Sequence, residues 1–106
     1  MKSYIIYGVA EEQGDEFRSR LNETLGVVLV AHESSYRGVY YRAGSTGEEH
    51  IILQPNYLSQ DDEWIDEEHK EYPLLLYVNE TLRPDELDKL LSGKIPSLTK
   101  LKREDL

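Results

Sequence analysis

Tyr72-Pro73-Leu74-Leu75-Leu76-Tyr77-Val78 is the most apolar run in this chain. Its bulky side chains occupy both alternating sets of positions, so neither face of an extended strand here favours water. That pattern marks a central strand covered on both sides. Everything else in the fold is read outward from it.

Downstream, Pro84 suits the first turn of a helix whose apolar stripe is Leu87, Leu90 and Leu91, with Gly93 as its stop. From Lys94 onward no period is visible, and residues 97–106 are expected to form a C-terminal tail beyond a single domain spanning 1–96, with Ile95, Leu98 and Leu101 able to dock and Arg103 to Leu106 frayed. Upstream, Glu49 to Gln54 reads as a strand ended by Pro55-Asn56. The turn-forming run Ala43 to Gly47 joins it to Arg37 to Arg42, where Val39 and Tyr41 alternate with Tyr40 and Arg42 as in a half-exposed antiparallel strand.

Near the N-terminus, Ser3 to Val9 is β-branched and aromatic with little polarity, again a covered strand. Asp15 is a good N-cap, Phe17, Leu21 and Leu25 recur on one helical stripe, and Gly26 supplies the stop. Val27 to Ala31 lacks polar alternation and reads as a second buried strand. Strand, helix and strand over this span predict a right-handed parallel βαβ unit. The expected fold is α+β: a mixed, mostly antiparallel sheet of about five strands with two helices, in the order β-α-β-β-β-β-α.

A chain of 106 residues buries roughly two-thirds of its unfolded surface on folding, enough for a core without staples. It contains no cysteine, which excludes disulfides and thiol chemistry and suits a reducing compartment. The apolar run at the N-terminus is too short for a secretion signal or a membrane span, so the expectation is a cytoplasmic protein.

The formal net charge is −9, and its placement is uneven. Asp61 to Glu71 holds seven carboxylates and one lysine, a net −6, while residues 1–60 carry −3 and residues 72–106 sum to zero. The segment centres on Trp64, the single tryptophan. A field of this sign repels nucleic acid phosphates and steers cationic partners inward, more weakly as salt rises. A solvated loop with Trp64 and Ile65 folded back on the core weighs equally against an interface.

Catalytic constellations are sparse. His32 and Glu33, expected just after a buried strand with Tyr36 and Arg37 nearby, are the best-placed acid/base candidates, but a structural histidine is the favoured reading. Three histidines show no helical ligand spacing and the acidic segment lacks the oxygen-ligand alternation and glycine of a calcium loop, so no metal or other cofactor is expected. Glu49-His50 and Glu68-His69 read as solvated neighbours. No serine lies in a nucleophile elbow, and Gly44 to Gly47 lacks the lysine of a phosphate-binding loop.

In size, acidity, lack of cysteine, the Asp61 to Glu71 stretch around Trp64 and the aromatic run Tyr36-Arg37-Gly38-Val39-Tyr40-Tyr41, the chain resembles a known class. These are the small acidic immunity proteins that bacteria pair with secreted nuclease toxins, including contact-dependent inhibition systems. The resemblance covers the chain in general character, without a family motif. It implies inhibition by occlusion, with carboxylates standing in for substrate phosphates over a basic active site. The partner-binding residues expected are Asp61, Asp62, Glu63, Trp64, Asp66, Glu67 and Glu68, with Tyr40, Tyr41 and Arg42 in support; the partner is a basic protein, not nucleic acid or membrane. Two alternatives remain: a small enzyme or ligand-binding domain with a cleft near His32 and Glu33, and an accessory subunit or homodimer that uses the hairpin of Arg37 to Gln54 as an edge for pairing.

Overall fold

The computed structural model describes residues 1–11, 14–34, 38–59 and 61–106. The elements in chain order are β1 (Ser3–Val9), α1 (Gly14–Leu25), β2 (Val30–Ser34), β3 (Gly38–Ala43), β4 (His50–Pro55), β5 (Tyr57–Leu58) and β6 (Glu63–Trp64). A 3-10 turn (Glu67–His69), β7 (Leu74–Thr81), α2 (Pro84–Lys94) and β8 (Leu98–Asp105) complete the chain.

Six strands form one sheet in the order β2-β3-β4-β7-β1-β8, and β5 pairs with β6 in a separate ribbon. The α+β class and the two helices follow the sequence reading. As expected for its apolar run, β7 lies inside the sheet, between β4 and β1. Its register is continuous with both neighbours over most of its length: Leu76 faces Tyr7 on one side and Leu53 on the other.

Alternate residues of the central strands build the core. Ile5, Tyr7 and Val9 join Ile51, Leu53, Leu74, Leu76 and Val78 in one buried cluster with Phe17 and Leu21 of α1 and Leu87 and Leu91 of α2. Each helix contributes a stripe at helical spacing, and the strands contribute every second residue. Helix α1 ends where Gly26 adopts φ +66°, a left-handed conformation that glycine takes without steric cost, and its amide returns to the carbonyl of Asn22 at 2.9 Å. Helix α2 opens on Pro84 and runs one residue past Gly93 to Lys94.

Three expectations are corrected. First, β1 and β2 do not form a parallel pair: β3, β4 and β7 lie between them, and every neighbouring pair in the sheet is antiparallel. Second, β2 starts at Val30 rather than Val27 and is an exposed edge, with Leu29 just before it buried. A short apolar run shows that a strand can form, but long-range pairing decides whether it lies inside the sheet.

Third, residues 97–106 are not a loose tail. Leu98–Asp105 is the eight-residue β8, paired along the whole of β1, and the amides and carbonyls of Lys2 and Leu106 bond to each other at 3.0 and 2.8 Å. Its charges concealed it, because an edge strand needs few apolar residues and charged ones guard it against pairing. They are also tied down: Lys100 meets Asp88 of α2 at 3.0 Å, and Arg103 meets Asp85 at 2.8 Å.

Candidate partner-binding site

Between β4 and β7 the chain leaves the sheet for an excursion that contains the acidic segment, and one residue fixes its backbone. Asn56 is completely buried. Its side-chain amide donates to the carbonyls of His69 and Tyr72, both at 3.0 Å, and its side-chain oxygen accepts the amide of Asp66 at 2.8 Å. Its main chain donates to the carbonyl of Pro73 at 2.9 Å and accepts the amide of Ile65 at 2.8 Å. A short polar side chain with donors and an acceptor is the one type that can satisfy several loop groups from a single buried point.

The excursion also rests on the sheet face away from the helices. Gly8, Leu75 and Gln54 are neighbours on that face. A Cβ on Gly8 would stand 2.5 Å from the ring of Tyr72, so the ring occupies the space that only glycine leaves. Leu75 is fully buried and Gln54 nearly so.

On this platform the acidic residues divide into two groups. Asp66 is spent internally: one carboxylate oxygen caps the amide of Glu68 at 3.1 Å and the other meets His69 Nδ1 at 2.8 Å. Asp62 sits at φ +52° and accepts the Tyr57 hydroxyl, a bond that holds that phenol above its ordinary pKa, with desolvation and the carboxylate charge adding to it. Asp62 is nevertheless exposed, as are Asp61, Glu63, Glu67, Glu68 and Glu71.

Trp64 is half-buried and lies outside the core cluster. Its ring centroid is 5.0 Å from that of Tyr57 at a tilt of 52°, across the β5–β6 pair, and Lys70 Nζ lies 5.9 Å from its ring. The result is a small aromatic pair in a segment that also exposes Asp61, Glu63, Glu67 and Glu68.

The three supporting residues of β3 do not share one surface. Successive strand residues point to opposite faces. Tyr41 faces the helices, where its hydroxyl bonds Asp15 and Arg18 lies 4.6 Å from its ring. Tyr40 stacks on His32 at 5.5 Å, and Arg42 is engaged with the β3–β4 turn, donating to the carbonyl of Gly44 at 3.2 Å and to Thr46 Oγ1 at 3.1 Å. Tyr41 therefore points to the sheet face opposite the one on which the excursion rests.

The His32 and Glu33 pair is corrected as well. Both lie exposed within β2 rather than in a turn after a buried strand, and as consecutive strand residues they face opposite sides. His32 borders a shallow depression with Val28, Val30 and Arg42, which Glu33 does not line. Tyr36 and Arg37 lie outside the described residues.

A second polar cluster, at the far end of β7 from the acidic excursion, escaped the sequence reading. His50 is buried rather than solvated, at 8% exposure; its Nδ1 is 2.9 Å from the Glu48 carbonyl and its Nε2 is 3.2 Å from Asn79 Nδ2. Glu80, held at φ +54°, accepts the Gly47 amide at 2.7 Å and Lys2 at 3.2 Å, and lies 3.4 Å from His50. The Gly47 bond is the chief reason that its carboxyl sits below the ordinary range. Beside it, Glu49 receives two bonds from Arg83, at 3.1 and 2.9 Å, which likewise lower its pKa. With these partners filled, the cluster acts as a clamp between the β3–β4 turn, β1 and β7. No local motif marks it; only the approach of residues 2, 47, 50 and 80 creates it.

Among the described residues, no group of three or more His, Asp or Glu side chains is placed to hold a metal ion, and no helix is long and apolar enough to cross a membrane. No protein-family model matches the chain, and no curated protein matches it significantly.

Proposed function

We propose that this protein binds a basic protein partner through the excursion from Tyr57 to Glu71, and that it acts as an immunity-type inhibitor covering the cationic active site of a nuclease-type toxin domain. The observation that carries the reading is a backbone pinned by Asn56 at Asp66, His69 and Tyr72, in a segment that exposes Asp61, Glu63, Glu67 and Glu68 and contains the Tyr57–Trp64 pair. A fixed array loses less conformational entropy on binding than a mobile acidic loop. The aromatic pair supplies the contact area typical of interface hot spots, and the carboxylates supply steering. Asp61, Glu63, Glu67 and Glu68 provide the outward field, while Asp62 and Asp66 shape the surface.

The test is affinity capture at low salt from lysate of the native organism, followed by a salt gradient. A single basic protein that withstands moderate salt, and is lost with Trp64→Ala or with Glu63, Glu67 and Glu68 reversed to lysine, supports the reading. Recovery of only weak binders that leave early, or capture unaffected by both variants, refutes it.

A further inference from the structure

The two edges of the six-stranded sheet are built differently. The β8 edge carries Lys100, Lys102, Arg103, Glu104 and Asp105, a dense row of charge of the kind that blocks strand addition. The β2 edge, Val30–Ser34, has no lysine, arginine or proline and a single acid, Glu33, against five charged residues in β8, and β3 is its single neighbour in the sheet among the described residues. Five residues is an ordinary strand length, so shortness does not protect it. Its start is also apolar and wet: Val28 is 73% exposed and Val30 is 53% exposed.

We propose that β2 is the pairing edge for a second copy of this chain, joined antiparallel about a two-fold axis into one continuous sheet. Two features favour a copy of itself. Joining the sparsely charged β2 edges leaves the densely charged β8 strands outermost, so assembly closes at two. Charge also fits. Glu33 pairs with Val39 and Tyr41 with Leu53, so the Ser34 end of β2 lies toward the end of β4 from which the acidic excursion departs. Antiparallel pairing sets the Ser34 end of each copy against the Val30 end of the other and separates the two excursions. The interface is small and both partners carry −9, so the dimer is weak and is strengthened by salt. This sign is opposite to that of the proposed basic-partner surface.

Sedimentation velocity from about 1 µM to about 1 mM, spanning the range of a weak small interface, at low and raised salt reads the equilibrium. The expected result is monomer passing to dimer, shifted toward dimer by salt. Val30→Lys lowers the net charge to −8 and Val30→Glu raises it to −10, so their shared effect reports edge pairing rather than net repulsion. Both are expected to stay monomeric across the range with unchanged circular dichroism, since position 30 is exposed. A wild type that stays monomeric throughout overturns the proposal. So does a dimer that survives either substitution, or growth beyond two copies.

Discussion

Replacing Asn56 with alanine tests whether one buried amide holds the acidic excursion in place. The side chain makes three hydrogen bonds of 3.0 Å or less, two to carbonyls and one from an amide. At about 1 kcal/mol each they sum to about 3 kcal/mol, and more if the abandoned groups stay buried without water. Because the excursion lies outside the six-stranded sheet, the cheaper response is local opening. That energy corresponds to roughly a hundredfold loss of protection, since 1.4 kcal/mol is tenfold. Native-state hydrogen exchange should show it at the amides of Ile65 and Asp66, which bond to Asn56. Amides of Leu76 and Ile5 in the central strands should hold theirs. Trp64 fluorescence should shift as its packing on Tyr57 loosens, and affinity for the proposed basic partner should fall although no proposed contact residue has changed. Unchanged exchange at Asp66, or a uniform loss across the sheet, would refute the role given to Asn56.

Gly8→Ala forces a methyl group into the Tyr72 ring and should cost about 1–3 kcal/mol by chemical denaturation, as overpacking does. Adding Tyr72→Ala should restore part of that loss; no recovery would mean that the contact is not the cause. Removing residues 98–106 strips β1 of its outer partner and frees Asp88 from Lys100, so a large drop in thermal midpoint is expected, whereas a true tail could be cut without effect. Glu49 and Glu80 have folded pKa values below their ordinary ones, so their stabilisation is complete above about pH 4.5 and is lost as pH falls through the folded values. Denaturation midpoints measured from pH 6 to pH 2.5 should therefore fall less steeply in Glu80→Gln than in the wild type; identical slopes would remove Glu80 from that clamp.

Local signals were strong where a residue's role is set by its neighbours in sequence. The stripes Phe17/Leu21 and Leu87/Leu91 became the buried faces of α1 and α2, and Pro84 and Gly26 marked a start and a stop. The hairpin β3–β4 was visible in its turn residues, and β7 in its unbroken apolar run. Where partners are distant the signal faded. β2 resembled a buried strand because valine and leucine suit any strand. β8 resembles a tail because its side chains are charged, and Asn56 with Pro55 marks only the end of a strand, although the partners of its side chain lie 10 to 16 positions away.

The sequence by itself determined the α+β class, the two helices, the central place of Leu74 to Val78 and the concentration of negative charge around Trp64. These follow from periodicity and composition, which are local and additive. Only the tertiary structure decided that β1 pairs with β7 and β8, that β2 is left as an edge, and that the acidic stretch is a pinned platform. It also brought His50, Glu80, Gly47 and Lys2 into one clamp. Such features depend on which distant backbone and polar groups satisfy one another, and a buried hydrogen bond leaves no period in the sequence to announce it.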